Sequence, residues 1–368
     1  MALGLIFTSM HFAAPSTYYV IAVRWLRSGD GLRRITKLSV DPPFVSIIIP
    51  TYNEARVITQ KLDNIYSQDY PRGLFEVIIV DSGSTDGTIE RVREWARDHG
   101  DVNVRIIEEG VRRGKAHALN TALRHAKGGI IVITDADSLW MGDSLRNAVS
   151  WLTNNDVGAV SCSKVPRTDR GIESEYRDYY GLLRIAESKR FSTSIFHGEL
   201  AAYRRELLEK IGGFPTDVGA DDSYTAGLIS MMGYRAIISE DVKCIEYVPS
   251  RGYWSWRVRR AQHLIQHFSR ILKHIVFNGK DVPREYRQVM LYESYLHLIN
   301  PWLFAAGLAL IVVSALHGSL ISTALLLMGL ALLTVRLFRT WVVTQVILMV
   351  AAVRNLWNKE LVWRKIEK

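Results

Sequence analysis

The apolar residues of this chain are gathered at its two ends, and that division limits the possible fold more than any single motif does. Of the 368 residues, 48% are hydrophobic, the upper edge of ordinary globular usage. The surplus lies in Met1 to Leu26 and in Tyr295 to Val353, whereas Asp41 to about Asp281 reads like a soluble α/β protein. A soluble unit attached to a membrane at both ends is the organisation this implies.

Leu3 to Leu26 offers the roughly 20 residues needed to cross a hydrocarbon core of about 30 Å, and Arg24 and Arg27 put its end on the cytoplasmic side. The charge follows the apolar run and no small-x-small cleavage site stands out, which favours an uncleaved anchor over a signal peptide. Leu296 to Leu316, the turn His317-Gly318-Ser319, and Leu320 to Val335 read as a helical hairpin that returns to the cytoplasm at Arg336 and Arg339. Trp341 to Val353 is short for a span and flanked by arginines, so it is expected to lie in the interface. Three spans are expected, with a fourth as the alternative. Arg251 to Lys273 interleaves Trp254, Trp256, Leu264, Ile265 and Phe268 with Arg257, Arg259, Arg260 and His263, a pattern suited to a membrane surface. The chain thus divides into 1–40, an anchor and a basic linker with Arg33, Arg34 and Lys37; 41–250, the soluble domain; 251–293, amphipathic helices; and 294–368, the hairpin and a C-terminal interfacial helix.

The net charge of +9 comes from basic residues crowded beside the apolar segments, where they favour anionic headgroups, and no nucleic-acid recognition module is visible. Nucleic acid is therefore not an expected partner. Cys162 and Cys244 stand in unrelated contexts, and the expectation is two small buried residues with neither a disulfide framework nor a cysteine metal site.

From Val45 the chain repeats a unit: a run rich in Val and Ile, a polar turn, then a helical pattern. Val45–Ile49, Glu76–Val80, Val104–Ile107, Ile130–Thr134 and Val157–Ser161 are expected strands; Ala55–Ser67, Thr88–Asp98, Lys115–Ala126 and Asp143–Leu152 are the helices between them. Strands that are apolar throughout are covered on both faces, which predicts a mostly parallel, open α/β sheet with its ligand at the carboxyl ends of the strands. The polar clusters fall there: Pro50-Thr51-Tyr52-Asn53-Glu54, Asp81 to Gly87, and Asp135-Ala136-Asp137. The glycine fingerprint of a dinucleotide fold and the Walker lysine motif are both missing.

The ordered set PTYNE, VDSGSTDGT, RRGKAHALN and TDAD, followed by Gly213-Phe214, Asp221-Asp222 and Trp256 to Arg260, resembles glycosyltransferase family 2, in its membrane-embedded, cellulose-synthase-like branch. The resemblance covers about Val45 to His274. It implies a Rossmann-like GT-A catalytic domain on the cytoplasmic side, a helical membrane domain, and inverting transfer from a nucleotide sugar. In its terms Asp135 and Asp137 are the metal-binding carboxylates for Mn²⁺ or Mg²⁺, a spacing that points both side chains the same way past a strand end. Asp81 contacts the base and ribose, Thr51, Tyr52, Asn53 and Glu54 line the nucleotide cleft, and Lys115 lies near the base or the donor phosphates.

Asp222 occupies the last position of the family's Thr-Glu-Asp motif, which supplies the base that deprotonates the acceptor; Ala220 and Asp221 replace the first two positions. Adjacent carboxylates raise one another's pKa. If the acceptor is an already ionised phosphate, Asp222 only positions it. Arg259 keeps the arginine of the Gln-x-x-Arg-Trp motif and is expected on the donor diphosphate, but Trp256 stands at the place of its Gln and Arg260 at that of its Trp. In processive synthases that final Trp stacks on the growing polymer, so a single transfer is expected here. His197 and Gly198, with Asp221 and Trp256, are expected to border the acceptor. The resemblance also suggests a polyprenyl or dolichyl phosphate, or a glycan linked to one, as acceptor, and GDP-mannose before UDP-glucose as donor. A processive polysaccharide synthase and an inactive membrane scaffold are the alternatives.

Overall fold

The structure, a computed structural model, describes residues 1–28, 42–166, 172–246, 252–279 and 281–360. Arg33, Arg34, Lys37, Arg251 and Lys280, to which the sequence assigns basic flanking roles, lie outside the described residues.

After the N-terminal helix α1 (Ala2–Arg27) come β1 (Val45–Thr51), α2 (Ile58–Tyr66), β2 (Phe75–Asp81), α3 (Thr88–Asp98), β3 (Asn103–Glu108) and α4 (Lys115–Leu123). The chain continues through β4 (Ile130–Ile133), β5 (Leu139–Trp140), α5 (Ser144–Leu152), β6 (Val157–Pro166) and α6 (Ile172–Arg190). Then follow β7 (Ala201–Arg204), α7 (Arg205–Lys210), α8 (Asp221–Met231) and β8 (Arg235–Glu246). Every residue of β2 is buried, and the two faces of the strands serve different cores. Ile47, Ile49, Val77 and Ile79 pack under α2, α3 and α5, while Ile48, Ile78 and Val80 pack under α4, α7 and α8. This two-sided burial is why the strands read as unbroken apolar runs.

The eight strands run in the order β3-β2-β1-β4-β7-β6-β8-β5. The expectation of a mostly parallel sheet holds for β3, β2, β1 and β4. Beyond them it needs correction: β7 enters antiparallel between β4 and β6, and β5 pairs antiparallel with β8. Because β7 runs backwards, with Ala201 opposite Ile133, the residues just before it arrive at the carboxyl end of β4. The strand order also switches direction between β1 and β4, which places a crevice there.

The cysteines are buried as expected, but the expectation that they form no disulfide is corrected. Cys162 and Cys244, 82 residues apart, form a disulfide between β6 and β8. These strands are parallel neighbours, and a register irregularity between Cys162 and Ser163 offsets the pairing so that the two side chains meet.

C-terminal to the sheet are α9 (Tyr253–Asn278), α10 (Arg284–Ser294), α11 (Asn300–Leu316), α12 (Leu320–Leu332) and α13 (Arg336–Arg354). A π-helical turn over Tyr295–Ile299 joins α10 to α11. Among the described residues two helices are long and apolar enough to cross a membrane, Arg284–Leu316 and Arg336–Arg354. The three expected spans are therefore redrawn. Leu296–Leu316 stands within the first of these helices, but α12 has only 13 residues. Helix α1, though 26 residues long, carries His11 and Pro15 inside it and is not among the two. Helix α13, expected to lie in the interface, meets the length test with 19 residues because it begins at Arg336 rather than Trp341.

These helices are packed onto one another through small and polar contacts. A Cβ on Gly307 would come within 2.6 Å of Thr8 Oγ1 and 3.0 Å of Thr8 N, the close approach that small residues allow between apolar helices. Trp341 donates to His11 Nε2 at 2.9 Å, and Tyr18 donates to Glu187 of α6 at 2.7 Å.

Candidate active site

At the carboxyl ends of β1 and β2 the two polar loops are tied to each other. Asn53, at a positive φ of 56° that asparagine tolerates, donates its N–H to Ser84 Oγ at 2.7 Å and accepts from Thr85 N–H at 2.8 Å. Glu54 N–H reaches Thr88 Oγ1 at 2.8 Å, and Ala55 N–H reaches Asp86 Oδ2 at 3.1 Å. Asp86 also accepts from the Thr88 N–H at 3.2 Å, at the first residue of α3. Asp81 is buried, and its carboxylate accepts from Thr51 Oγ1 at 3.0 Å, from Gly83 and Ser84 N–H at 3.1 and 2.8 Å, and from the Ser84 hydroxyl. Much of the motif therefore shapes its own loops.

A cavity of about 360 Å³ opens above these loops. It is lined by Thr51, Tyr52, Glu54, Lys115, Asp135 and Asp137, and further along by His197, Gly198, Asp221, Asp222, Trp256 and Arg259. The structure brings together all of the residues assigned to a site from sequence except two: buried Asp81 and half-buried Asn53 do not line the cavity.

Asp135 and Asp137 lie on the tight turn between β4 and β5. Ser138 Oγ donates to Asp135 O at 3.0 Å, and Thr134 Oγ1 donates to Glu199 O at 2.6 Å. Below the turn Lys61 is fully buried, donating to Ser138 O at 3.0 Å with its ammonium 4.1 Å from the centre of the Trp140 ring. Burial pulls the Lys61 pKa well below its ordinary value, against the attraction of Asp135 and Glu199. In the sequence it is legible only as a lysine within the stripe Ile58, Leu62, Ile65.

Lys115 opens α4 after Gly114, whose φ of 106° is a backbone conformation that glycine adopts without strain. Its ammonium meets Asp135 Oδ1 at 2.7 Å. Burial opposes that charge, but Asp135, Asp221 and Asp222 outweigh it and hold the Lys115 pKa above its usual range. Gly198 lies beside this group: a Cβ on it would come within 2.8 Å of Lys115 Nζ and 3.0 Å of Asp222 Oδ2. The backward-running β7 thus delivers a glycine where any side chain would intrude.

Asp221 and Asp222 begin α8, where the helix dipole favours negative charge. Asp222 Oδ1 accepts from Ser223 N–H at 2.6 Å, leaving Oδ2 toward Gly198. Asp221 is buried and its Oδ2 has no hydrogen-bond partner. Burial raises its pKa to about 7; Lys115 opposes the rise, and Asp222 and Asp135 add to it. His197 is held by its backbone N–H on Ser161 Oγ at 3.0 Å and by Nδ1 against Cys162 O at 2.8 Å.

Helix α9 does not present its arginines to solvent as a plain basic face would. Arg257 and Arg259 are buried and line the cavity, whereas Trp254 is exposed. Arg257 donates to Thr344 Oγ1 of α13 at 3.2 Å, and the Arg260 guanidinium lies 4.7 Å from the Trp256 ring centre. Arg112, which opens the RRGKAHALN string, Lys164, Glu199 and His263, none of which the sequence had given a role in the site, also line the cavity. Lys164 and Glu199 form a buried ion pair at 2.6 Å. Lys164 is on β6 and Glu199 in the turn before β7, 35 residues apart in the chain, so no local signal would have joined them.

The donor set suits a hard divalent cation. Two carboxylates share one turn, no group of three or more His, Cys, Asp or Glu ligands forms among the described residues, and the ammonium of Lys115 already rests on Asp135. An ion held by Asp135 and Asp137 would complete its shell with phosphate oxygens and water, as Mg²⁺ does at nucleotide sites.

The glycosyl transferase family 2 profile matches residues 46–212, and that of glycosyl transferase family group 2 matches 130–353. Among solved structures, the mannosyltransferase PcManGT from Pyrobaculum calidifontis, in complex with GDP-Man and Mn²⁺, superposes with a TM-score of 0.85 at 52% identity, covering 97% of this chain and 98% of that one. Glycosyltransferase AglE of Haloferax volcanii is 30% identical over 204 residues, 54% of this chain and 66% of AglE. A poly-beta-1,6-N-acetyl-D-glucosamine synthase of Staphylococcus epidermidis is 24% identical over 265 residues, 70% of this chain and 63% of the synthase. The dolichyl N-acetyl-alpha-D-glucosaminyl phosphate 3-beta-D-2,3-diacetamido-2,3-dideoxy-beta-D-glucuronosyltransferase of Methanococcus voltae is 36% identical over 106 residues, 29% of this chain and 33% of that enzyme. The chain thus spans about two thirds of the first two curated relatives and one third of the last. With a family profile over more than half its length and the loops of that family gathered around one cavity, this chain belongs to glycosyltransferase family 2 and is a glycosyltransferase.

Proposed function

We propose that the protein moves a single mannose from GDP-mannose to a polyprenyl or dolichyl phosphate, or to a glycan carried on one, at the cytoplasmic face of a membrane, with inversion at the anomeric carbon and with Mn²⁺ or Mg²⁺. The observation that carries the reading is the convergence of Lys115, Asp135, Asp137, Asp222 and Arg259 on one cavity. The 52% identity to a mannosyltransferase bound to GDP-Man and Mn²⁺ supports the donor and the metal.

A divalent ion on Asp135 and Asp137 would supply charge neutralisation for the departing diphosphate. Lys115 and Arg259 add fixed positive charge to the same end, Arg259 as a group that stays ionised. On the opposite side of the transferred sugar, Asp222 Oδ2 takes the proton of an acceptor hydroxyl as its oxygen attacks the anomeric carbon. One displacement inverts the configuration, so the α-linked donor gives a β-linked product. Where the acceptor is a phosphate, already ionised, the same carboxylate positions rather than deprotonates.

The cavity ends between α9 and α13, where Leu264, Ile347 and Leu348 stand beside Arg257 and Thr344. Apolar walls with a buried arginine suit a lipid phosphate better than a free sugar. The dolichyl-linked relative points the same way. A processive synthase is the second reading, favoured by the staphylococcal relative. Arg260 in the place of that branch's tryptophan, lying against Trp256, weighs against it.

The test is a donor panel in detergent, GDP-mannose, UDP-glucose, UDP-GlcNAc and UDP-galactose, each with and without Mn²⁺ and a polyprenyl phosphate. Metal-dependent release of GDP alone is expected, stimulated by the lipid. Release from a UDP-sugar instead would overturn the donor, and silence with no binding would favour an inactive scaffold.

A further inference from the structure

Three loops meet over the carboxyl end of β2. The sheet runs β3-β2-β1-β4, and Arg112, from the loop after β3, places its guanidinium 4.1 Å from the centre of the Tyr52 ring, from the loop after β1. The stack therefore crosses above β2, where Ser82 lines the same cavity. The loop carrying Arg112 starts from a fixed point, since Glu109 N–H donates to Asp81 O at 2.7 Å. The acidic turn of Asp135 and Asp137 follows β4, on the other side of β1. A donor whose diphosphate lies at that turn and at Lys115 carries its base toward β2, under Arg112.

Stacking uses one face of the guanidinium. Among the described residues no carbonyl, carboxylate or hydroxyl accepts a hydrogen bond from it, so its edge donors are held in plane and unspent. A planar fork of this kind, fixed on an aromatic face, pairs with two adjacent acceptors at once. Guanine offers such a pair in O6 and N7. Uracil does not, because a donor N–H separates its two carbonyls.

We propose that Arg112 selects guanine over uracil in the donor, with Tyr52 as the platform that orients it. The inference rests on the GDP-mannose reading above and assigns its base specificity to a residue outside the PTYNE and VDSGSTDGT loops.

The test is equilibrium binding of GDP and UDP to the full chain in detergent with Mn²⁺, for wild type, Arg112→Ala and Arg112→Lys. The wild type is expected to prefer GDP. Both variants should lose affinity for GDP on the order of 10-fold while UDP binding stays within about 2-fold, the loss of one bidentate base contact; the retained UDP binding also reports a folded site. Equal losses for GDP and UDP in Arg112→Ala, restored in Arg112→Lys, would overturn the proposal by making Arg112 a phosphate contact. An unchanged GDP preference in Arg112→Ala would overturn it too. A wild type that prefers UDP would instead contradict the donor reading itself, and the assignment with it.

Discussion

In the proposed reaction Asp137 and Asp222 serve separate halves of the chemistry, and each can be removed alone. Asp137→Ala is expected to lower metal-dependent turnover by about 100-fold or more while the melting curve stays that of the wild type; wild-type turnover would remove the metal assignment. Asp222→Asn should keep GDP binding but lose transfer to a hydroxyl acceptor by about 10²- to 10⁴-fold. Undiminished transfer would show that the base lies elsewhere or that the acceptor is an ionised phosphate. Asp221 makes a different prediction. Burial pushes its carboxyl up to about 7 in the folded chain, above the ordinary value of 3.8, so between these values the folded chain holds a proton that the unfolded chain has lost. The stability this contributes is complete below the lower value and is lost as pH rises through the higher one. Asp221→Asn, measured in EDTA, should flatten the fall in melting temperature between about pH 5 and pH 8; an unchanged slope would mean the carboxyl is not the group responsible. The sequence showed Asp135, Asp137 and Asp222 because each follows the start or end of an element in a recognisable string. It did not separate Asp81 and Asn53, which brace the loops from behind, from Tyr52 and Lys115, which face the cavity. A motif lists residue types, and only the backbone path decides which of them turn inward.

The strands and helices of the first half were legible because two-sided burial writes itself as unbroken Val and Ile runs, and α3 matches its expected bounds at both ends. The sheet beyond β6 was not. β7 has four residues, too few for a periodic pattern, and its reversal depends on its fit between β4 and β6 rather than on any local signal. The disulfide was hidden for a related reason: its partners adjoin only through the pairing of β6 and β8. By closing a loop of 82 residues, the bridge should stabilise the fold by up to about 4 kcal/mol. Reduction, or the Cys162→Ser, Cys244→Ser double variant, is expected to shift the denaturation midpoint down by a corresponding amount. An unmoved midpoint would show that the remaining β6–β8 contacts suffice. Helix α9 was read correctly as basic and aromatic, yet its arginines face inward. Arg257 and Arg259 recur on the side that packs on the sheet domain and α13, a face that is defined only once α13 is in place.

At the scale of the molecule, the apolar ends and the soluble middle are not separate bodies joined by linkers. Helix α1 is bonded to α6 through Tyr18 and Glu187 and to α13 through His11 and Trp341, and α13 closes the cavity that begins at β1. One end of the cavity is thus built in part from α13, one of the two helices long and apolar enough to cross a membrane, which would put the proposed lipid-borne acceptor within reach without a channel. The full chain is expected to remain with membranes through alkaline carbonate washing; release into the supernatant would contradict the membrane reading. The measurement that bears most directly on the central claim is the product of GDP-[¹³C]mannose with a polyprenyl phosphate, followed in the lipid extract by mass spectrometry and carbon NMR. A metal-dependent glycolipid with one β-linked mannose is the predicted result. Mannose absent from the lipid, joined through an α linkage, or added as a long polymer would contradict it.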